Sequence, residues 1–341
     1  MATVSVAVLG LGRVGASVAL ALKRYNEKKD GQHQFEVTAA DLRAGVRDEA
    51  AHMGLPGKIE RNLFDAVQGR DIVVLALPYA DVEAAYKTLA PELRPGAVVL
   101  DTSPLKGPSL KWAAAHLPAE VHQVGITPIL NPKYLFDGLD DTPHAQADLF
   151  DKGSMLLMPS VAAIREAIEL ASDFSVILGS TPHFVDPAEH DSLMALTDEL
   201  PSLLGVAAFY AAYKREGWND AQRFTNPAFG RMTHQLYDTH PDDLRDAWLN
   251  NRESLVRHLD SLLETLRLFR TILAQDDRDA LDGALIEAAD GYSAWINRRH
   301  NARWDNESPQ ETGPSLGGMM ASNFFGGFLS KRLDRKNGDK K

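Results

Sequence analysis

The chain has 341 residues, 44% of them apolar and 24% charged, which is ordinary for a globular protein and long enough for two domains. A formal net charge of −11 argues against nucleic acid or an anionic membrane surface as a partner. There is no cysteine, which excludes disulfides, thiolate catalysis and thiolate-bound metal and fits a reducing, cytoplasmic setting.

Val4-Ser-Val-Ala-Val-Leu9 predicts a short buried strand. Gly10-Leu11-Gly12-Arg13-Val14-Gly15 follows at once, and Ala16-Ser-Val-Ala-Leu-Ala-Leu22 continues with helical apolar spacing. Strand, G-x-G-x-x-G turn and helix, in that order, is the dinucleotide-binding arrangement. Gly10 permits the tight turn, Gly12 lets backbone approach a pyrophosphate, and Gly15 lets helix pack on strand. The helix N-terminus offers free N–H groups to the phosphates. Residues 4–22 lack the basic start of a signal peptide, and no other segment approaches the ~20 apolar residues of a membrane span.

Phe35-Glu-Val-Thr-Ala-Ala40 predicts the second strand, ended by Asp41. A carboxylate there accepts hydrogen bonds from ribose hydroxyls and repels a 2′-phosphate, which favours NAD. The polar insert 23–33 explains the long spacing from the glycines. Arg43 is read as a solvated loop charge, although an arginine there would also grip a 2′-phosphate, so NADP stays open.

Strand and helix signals then alternate. Residues 71–77, 96–100, 121–126, 154–158 and 181–185 predict further strands, with helices over 81–93 and 161–178, giving a doubly wound parallel Rossmann sheet. Ligands sit beyond the carboxyl ends of such strands. That places Leu77, Pro78, Asp101, Ser103, Lys106 and Thr127 around one crevice with the glycine turn.

The pattern changes at Asp186-Pro187-Ala-Glu189, which reads as an N-cap, a first-turn proline and a capping-box glutamate. Two leucine- and alanine-rich stripes follow, over 255–273 and 280–296. They exceed what one small helical domain hides from water, so a homodimer is expected. The predicted organisation is a dinucleotide-binding Rossmann domain over 1–186, an all-α substrate and dimerisation domain over 187–307, and a tail over 308–341. The tail is expected to pack as a flexible arm on the dimer, with residues 334–341 disordered.

A Rossmann domain followed by helices, with Asp101-Thr-Ser-Pro-Leu-Lys106, Val124-Gly-Ile-Thr127-Pro128, Glu189-His190-Asp191, Leu200-Pro201 and Trp248-Leu-Asn-Asn251, resembles the prephenate/arogenate dehydrogenase family. The resemblance runs over about residues 4–300. It implies oxidative decarboxylation of prephenate or arogenate with NAD(P), on the way to tyrosine, by a homodimer joined through helical domains.

The departures fall on the chemistry. Thr127 stands where the family has a histidine that assists oxidation of the ring hydroxyl. Pro104 stands at the usual serine, with Ser103 beside it. Asp198-Glu199-Leu200-Pro201-Ser202 replaces Ser-His-Leu-Pro-His, and His234 aligns loosely with a substrate-binding arginine. Two carboxylates would repel a dianionic substrate, so weak or absent prephenate turnover is expected. Threonine cannot take a proton at neutral pH as imidazole does, which turns attention to Lys106, His190 and His122 as titratable groups. Lys106, His190, Thr127 and Ser103 are the candidate catalytic residues. No histidine has partners at metal-ligand spacing, so no metal site is expected. Oxidation of another hydroxy acid or reduction of an imine on the same scaffold, with Lys106 as acid/base, remains an alternative. So does a non-catalytic dinucleotide-binding dimer.

Overall fold

A computed structural model describes residues 2–28, 31–137 and 139–301. β1 (Ala2–Leu9) runs through the glycine turn into α1 (Arg13–Asn26) and then β2 (His33–Ala40). Three small elements that apolar periodicity did not single out follow: α2 (Ala44–His52), β3 (Lys58–Glu60) and α3 (Leu63–Val67). Next come β4 (Ile72–Leu75), α4 (Val82–Leu89), β5 (Val98–Asp101), α5 (Lys106–His116) and β6 (His122–Ile129). β7 (Ser154–Pro159), α6 (Arg165–Leu178) and β8 (Thr181–Phe184) complete the sheet.

The strand order is β3-β2-β1-β4-β5-β6-β7-β8. The chain leaves β1 toward β2 and β3 on one side and resumes at β4 on the other, which opens a crevice at the carboxyl ends of β1 and β4. Alternate side chains serve opposite faces: Val6 and Val8 pack with α1 and α6 residues, whereas Ala7 and Leu9 pack with α3 and α4 residues. All four residues of β4 are buried, each such aliphatic side chain contributing ~1.5–3 kcal/mol.

One pairing departs from the expected parallel sheet, because β7 runs antiparallel to β6. The connection explains it. The described residues between them hold only the 3₁₀ turns Pro132–Tyr134 and Thr142–His144, and no helix to carry a crossover.

The glycine turn is sterically obligatory at two points. Gly10 has φ +89°, and a Cβ there would lie 2.1 Å from the Ala76 carbonyl oxygen; one on Gly15 would lie 1.9 Å from the Gly10 carbonyl oxygen.

Asp186 caps α7 (Pro187–Met194), accepting from the Ala188 and Glu189 N–H groups. The helix continues through a π turn, Ala195–Glu199, into α8 (Leu200–Tyr213). By length and composition the whole run Pro187–Tyr213 meets the requirement for a membrane span, against the sequence expectation that no further segment would. The charged residues of its first half had masked the continuity; that half packs on α5 and carries buried polar side chains.

α9 (Trp218–Ala221), α10 (Pro227–Thr233), α11 (Gln235–Asp238) and α12 (Pro241–Asn250) follow, then the long α13 (Arg252–Ala274) and α14 (Arg278–Asn301). A first compact unit reaches Leu259 and a second begins at Asp260, inside α13. In the stripes, Leu255, Ile272 and Ile296 are buried, whereas Leu263, Leu266, Leu273, Leu285 and Trp295 are exposed. The tail, with its expected arm and disorder, lies outside the described residues.

Candidate active site

The turn after β1 has the features a dinucleotide needs. Gly12 caps α1 with no side chain across the helix end, and the first turn carries no acidic residue, so its N–H groups and positive dipole end are free. The nearest atom to a Cβ on Gly12 would be the Asp140 carbonyl oxygen at 3.9 Å, leaving room for a close ligand approach. Leu11 is buried, Val14 is half-buried, and Leu77 and Pro78 are half-buried just past β4. Arg13 turns away: its buried guanidinium donates to the Leu139 carbonyl and to Asp137, both at 2.8 Å.

Asp41 is buried at the end of β2, where its Oδ2 accepts from the Leu11 N–H at 2.9 Å. Burial pushes its pKa up, but hydrogen bonds from Arg43 and Leu11 outweigh that and hold the carboxyl below its usual range. Arg43, expected as a solvated loop charge, is more than half exposed but is also paired. It grips both oxygens of Asp41 at 3.1 Å, because the turn sends its side chain back over the carboxylate.

Beyond β5, three expected site residues turn inward instead. Asp101 is fully buried, and its oxygens accept from the Ser103 N–H and hydroxyl, the Tyr86 hydroxyl and the Ser109 hydroxyl. Ser103 is thereby spent on Asp101 rather than facing the crevice. Lys106 is likewise fully buried. Its ammonium donates to the carbonyls of Asp101 (3.0 Å), Ile126 (2.8 Å) and Ser103, which occupies all three protons. Burial lowers its pKa to about 8. Gly125 makes room for its stem, since a Cβ there would lie 2.9 Å from Lys106 Cδ. These placements share one cause: a short strand-to-helix turn with buried polar backbone recruits the nearest polar side chains to satisfy it.

Thr127 and His190 come together. In register, Leu9, Leu75, Asp101 and Gly125 stand side by side across the parallel strands, and Thr127 lies two residues beyond, at the crevice. Thr127 Oγ1 is 2.9 Å from His190 Nε2. On the other side of the ring, Nδ1 is 2.8 Å from Asp191 Oδ1. A carboxylate only accepts, so Nδ1 carries a proton, and the neutral form of the ring presents Nε2 as acceptor to the threonine hydroxyl. Asp191 is itself fixed by the N-terminus of α5, accepting from the Lys106 and Gly107 N–H groups at 2.8 Å. His190 is buried, while Thr127 is half-exposed.

One π turn further on, Glu199 is 5% exposed. Its Oε2 accepts from Asn251 Nδ2 at 2.9 Å, and the same nitrogen donates to the Asp191 carbonyl at 2.8 Å. Its Oε1 and the buried hydroxyl of Ser202 have no protein partner. Burial, with Asp198 and Asp191 adding repulsion, raises the Glu199 pKa to about 7. His234, loosely aligned with an arginine, lies 3.5 Å from Asp238. Asp191 and Asn251 were not among the expected site residues. The signal for the first was its position beside a histidine on a helix entering the strand ends.

Two family models match in tandem: "Prephenate dehydrogenase, nucleotide-binding domain" over residues 18–180 and "Prephenate dehydrogenase, dimerization domain" over 186–287. Similar proteins include the cyclohexadienyl dehydrogenase of Zymomonas mobilis, 26% identical over 280 residues that cover 81% of this chain and 90% of that one. Among solved structures, the prephenate dehydrogenase of Aquifex aeolicus in complex with hydroxyphenyl propionate and NAD+ aligns with a TM-score of 0.69 at 18% identity, covering 84% of this chain and 96% of that one. Synechocystis arogenate dehydrogenase aligns with a TM-score of 0.62 at 19% identity, covering 85% and 99%.

Proposed function

The chain belongs to the prephenate dehydrogenase family, and from that premise we propose that it oxidises the ring hydroxyl of a cyclohexadienyl acid with NAD, using the Asp191–His190–Thr127 chain to take the hydroxyl proton. The glycine turn and Asp41 would hold the dinucleotide, with Asp41 on the adenosine ribose once Arg43 shares it. Bound there, NAD supplies the acceptor for the hydrogen that leaves the carbinol carbon with its electron pair.

The protein's own groups handle the proton. Thr127 Oγ1 points its hydrogen at His190 Nε2 and keeps lone pairs for the substrate O–H. As the hydroxyl loses its proton to Thr127, the threonine proton passes to His190, and Asp191 stabilises the resulting imidazolium. When the ring carboxylate leaves as CO2, the electrons of its bond to the ring make the ring aromatic. The borrowed proton then returns to the phenol oxygen, so no net proton is released. The threonine that replaces the expected histidine is thus backed by an imidazole from the next element, and this contact carries the proposal.

Steady-state NAD reduction with prephenate and with arogenate tests it. Turnover of either, abolished by His190→Gln, is the expected result; turnover of neither contradicts it. The proposed assembly is a homodimer. Its support is the match to a dimerization domain and the exposed leucines of α13 and α14. Light scattering that finds a 37.4 kDa particle at micromolar concentration would contradict the dimer.

A further inference from the structure

Glu199 Oε1 and Ser202 Oγ are buried and carry no hydrogen bond. They lie three residues apart on one continuous helix, so they share a face. Leaving a carboxylate oxygen buried and unpaired is costly, and such atoms in a native protein point to a ligand group. Asn251 joins this carboxylate to the Asp191 carbonyl, so it stands one side chain away from the proton-accepting histidine.

The charges around it have one sign. Asp198 and Asp191 act on Glu199, and Asp198 also acts on Asp140, where Arg13 is the opposing cation. Arg13, the cation that acts on Asp140, is already committed to Asp137 and Leu139, and the rings of His144 and His234 lie against Asp141 and Asp238. Lys106 is spent on three carbonyls. The keto acid would bring its side chain to this wall with no cation of its own, whereas the amino acid carries an ammonium beside the same carboxylate. An ammonium group would satisfy the orphaned oxygen with a charge-assisted hydrogen bond and neutralise the wall.

We infer that Glu199 and Ser202 form a receptor for an ammonium group, and that the substrate is an amino acid with a cyclohexadienol ring rather than its keto-acid counterpart. This rests on the oxidation proposed above for the same site. Ser202 Oγ accepts a second ammonium hydrogen, and Asn251 keeps the carboxylate turned toward the site through Oε2.

The test compares arogenate and prephenate, which share the ring and differ at the side chain by an ammonium or a ketone. The expected result is a kcat/KM for arogenate ~100-fold above that for prephenate. Glu199→Gln, which preserves the acceptor for Asn251, is expected to raise the arogenate KM ~10–100-fold, move kcat less than ~3-fold and lower the prephenate KM. Equal or better use of prephenate overturns the inference, as does a Glu199→Gln effect that is the same for both substrates. If neither is oxidised, the oxidation proposal fails and calorimetry decides the receptor by itself. The NAD-loaded protein must then bind L-tyrosine more tightly than 4-hydroxyphenylpyruvate, with the preference lost in Glu199→Gln; equal or reversed preference overturns it.

Discussion

Two clusters of buried polar groups lie along the same strand ends and differ in how completely they are satisfied. Around Asp101, the carboxylate, two serines, a tyrosine and the Lys106 ammonium are bonded to one another and to backbone, Gln123 Oε1 being the exception. Around His190, a half-exposed threonine hydroxyl faces the crevice and two buried atoms, on Glu199 and Ser202, lack partners. Both clusters offer chemistry-bearing residue types. A saturated network holds backbone in place, whereas an unsaturated one awaits something from outside the chain.

The contrast breaks first at His190. Replacing it with glutamine keeps a hydrogen bond to Thr127 but removes the base, so kcat should fall by ~10²–10⁴ while calorimetry finds NAD affinity unchanged. Lys106→Met should act in the opposite way. It leaves three buried carbonyls unpaired at about 1–3 kcal/mol each, so Tm should drop by roughly 10 °C with kcat of the folded fraction falling less than ~10-fold. A loss of kcat with Tm intact would return Lys106 to the chemistry. The pH dependence sharpens the same point. With its pKa lowered from 10.5 to about 8, folded Lys106 binds fewer protons than unfolded between those values. Its contribution to stability therefore rises with pH across that window, and Lys106→Met should flatten the rise in a Tm–pH scan.

Asp41→Ala should weaken NAD ~10-fold and erase discrimination against NADP, by loss of one charged acceptor. Unchanged NAD binding in calorimetry would mean that Arg43, not Asp41, meets the ribose. The smallest effect belongs to Glu199. Its pKa, raised from 4.5 to about 7, lets the folded chain keep a proton that the unfolded chain releases. Stability should fall as pH rises through that window, and Glu199→Gln should remove the fall, worth a few degrees of Tm.

The nucleotide half of the fold was legible because parallel strands buried on both faces read as apolar runs and the glycines can be little else. The short α2, β3 and α3 were not, since elements of nine, three and five residues are too short to show a clear period. The antiparallel β7 was hidden in a connection whose lack of a helix is clear only once its ends are placed. At the site, Thr127 and His190 were legible as residues but not as a pair, being 63 positions apart. Lys106 and Ser103 were legible as residues near a strand end, but a motif does not tell whether backbone carbonyls or a neighbouring carboxylate have claimed them.

The most direct measurement is the initial rate of NAD reduction with arogenate in Thr127→Ser beside Thr127→Val. Serine keeps the hydroxyl between substrate and His190 and should stay within ~10-fold of the unmodified protein. Valine keeps the shape, removes the hydroxyl and should lose ~10²-fold or more. A valine variant that turns over as fast as the serine one would contradict proton transfer through Thr127.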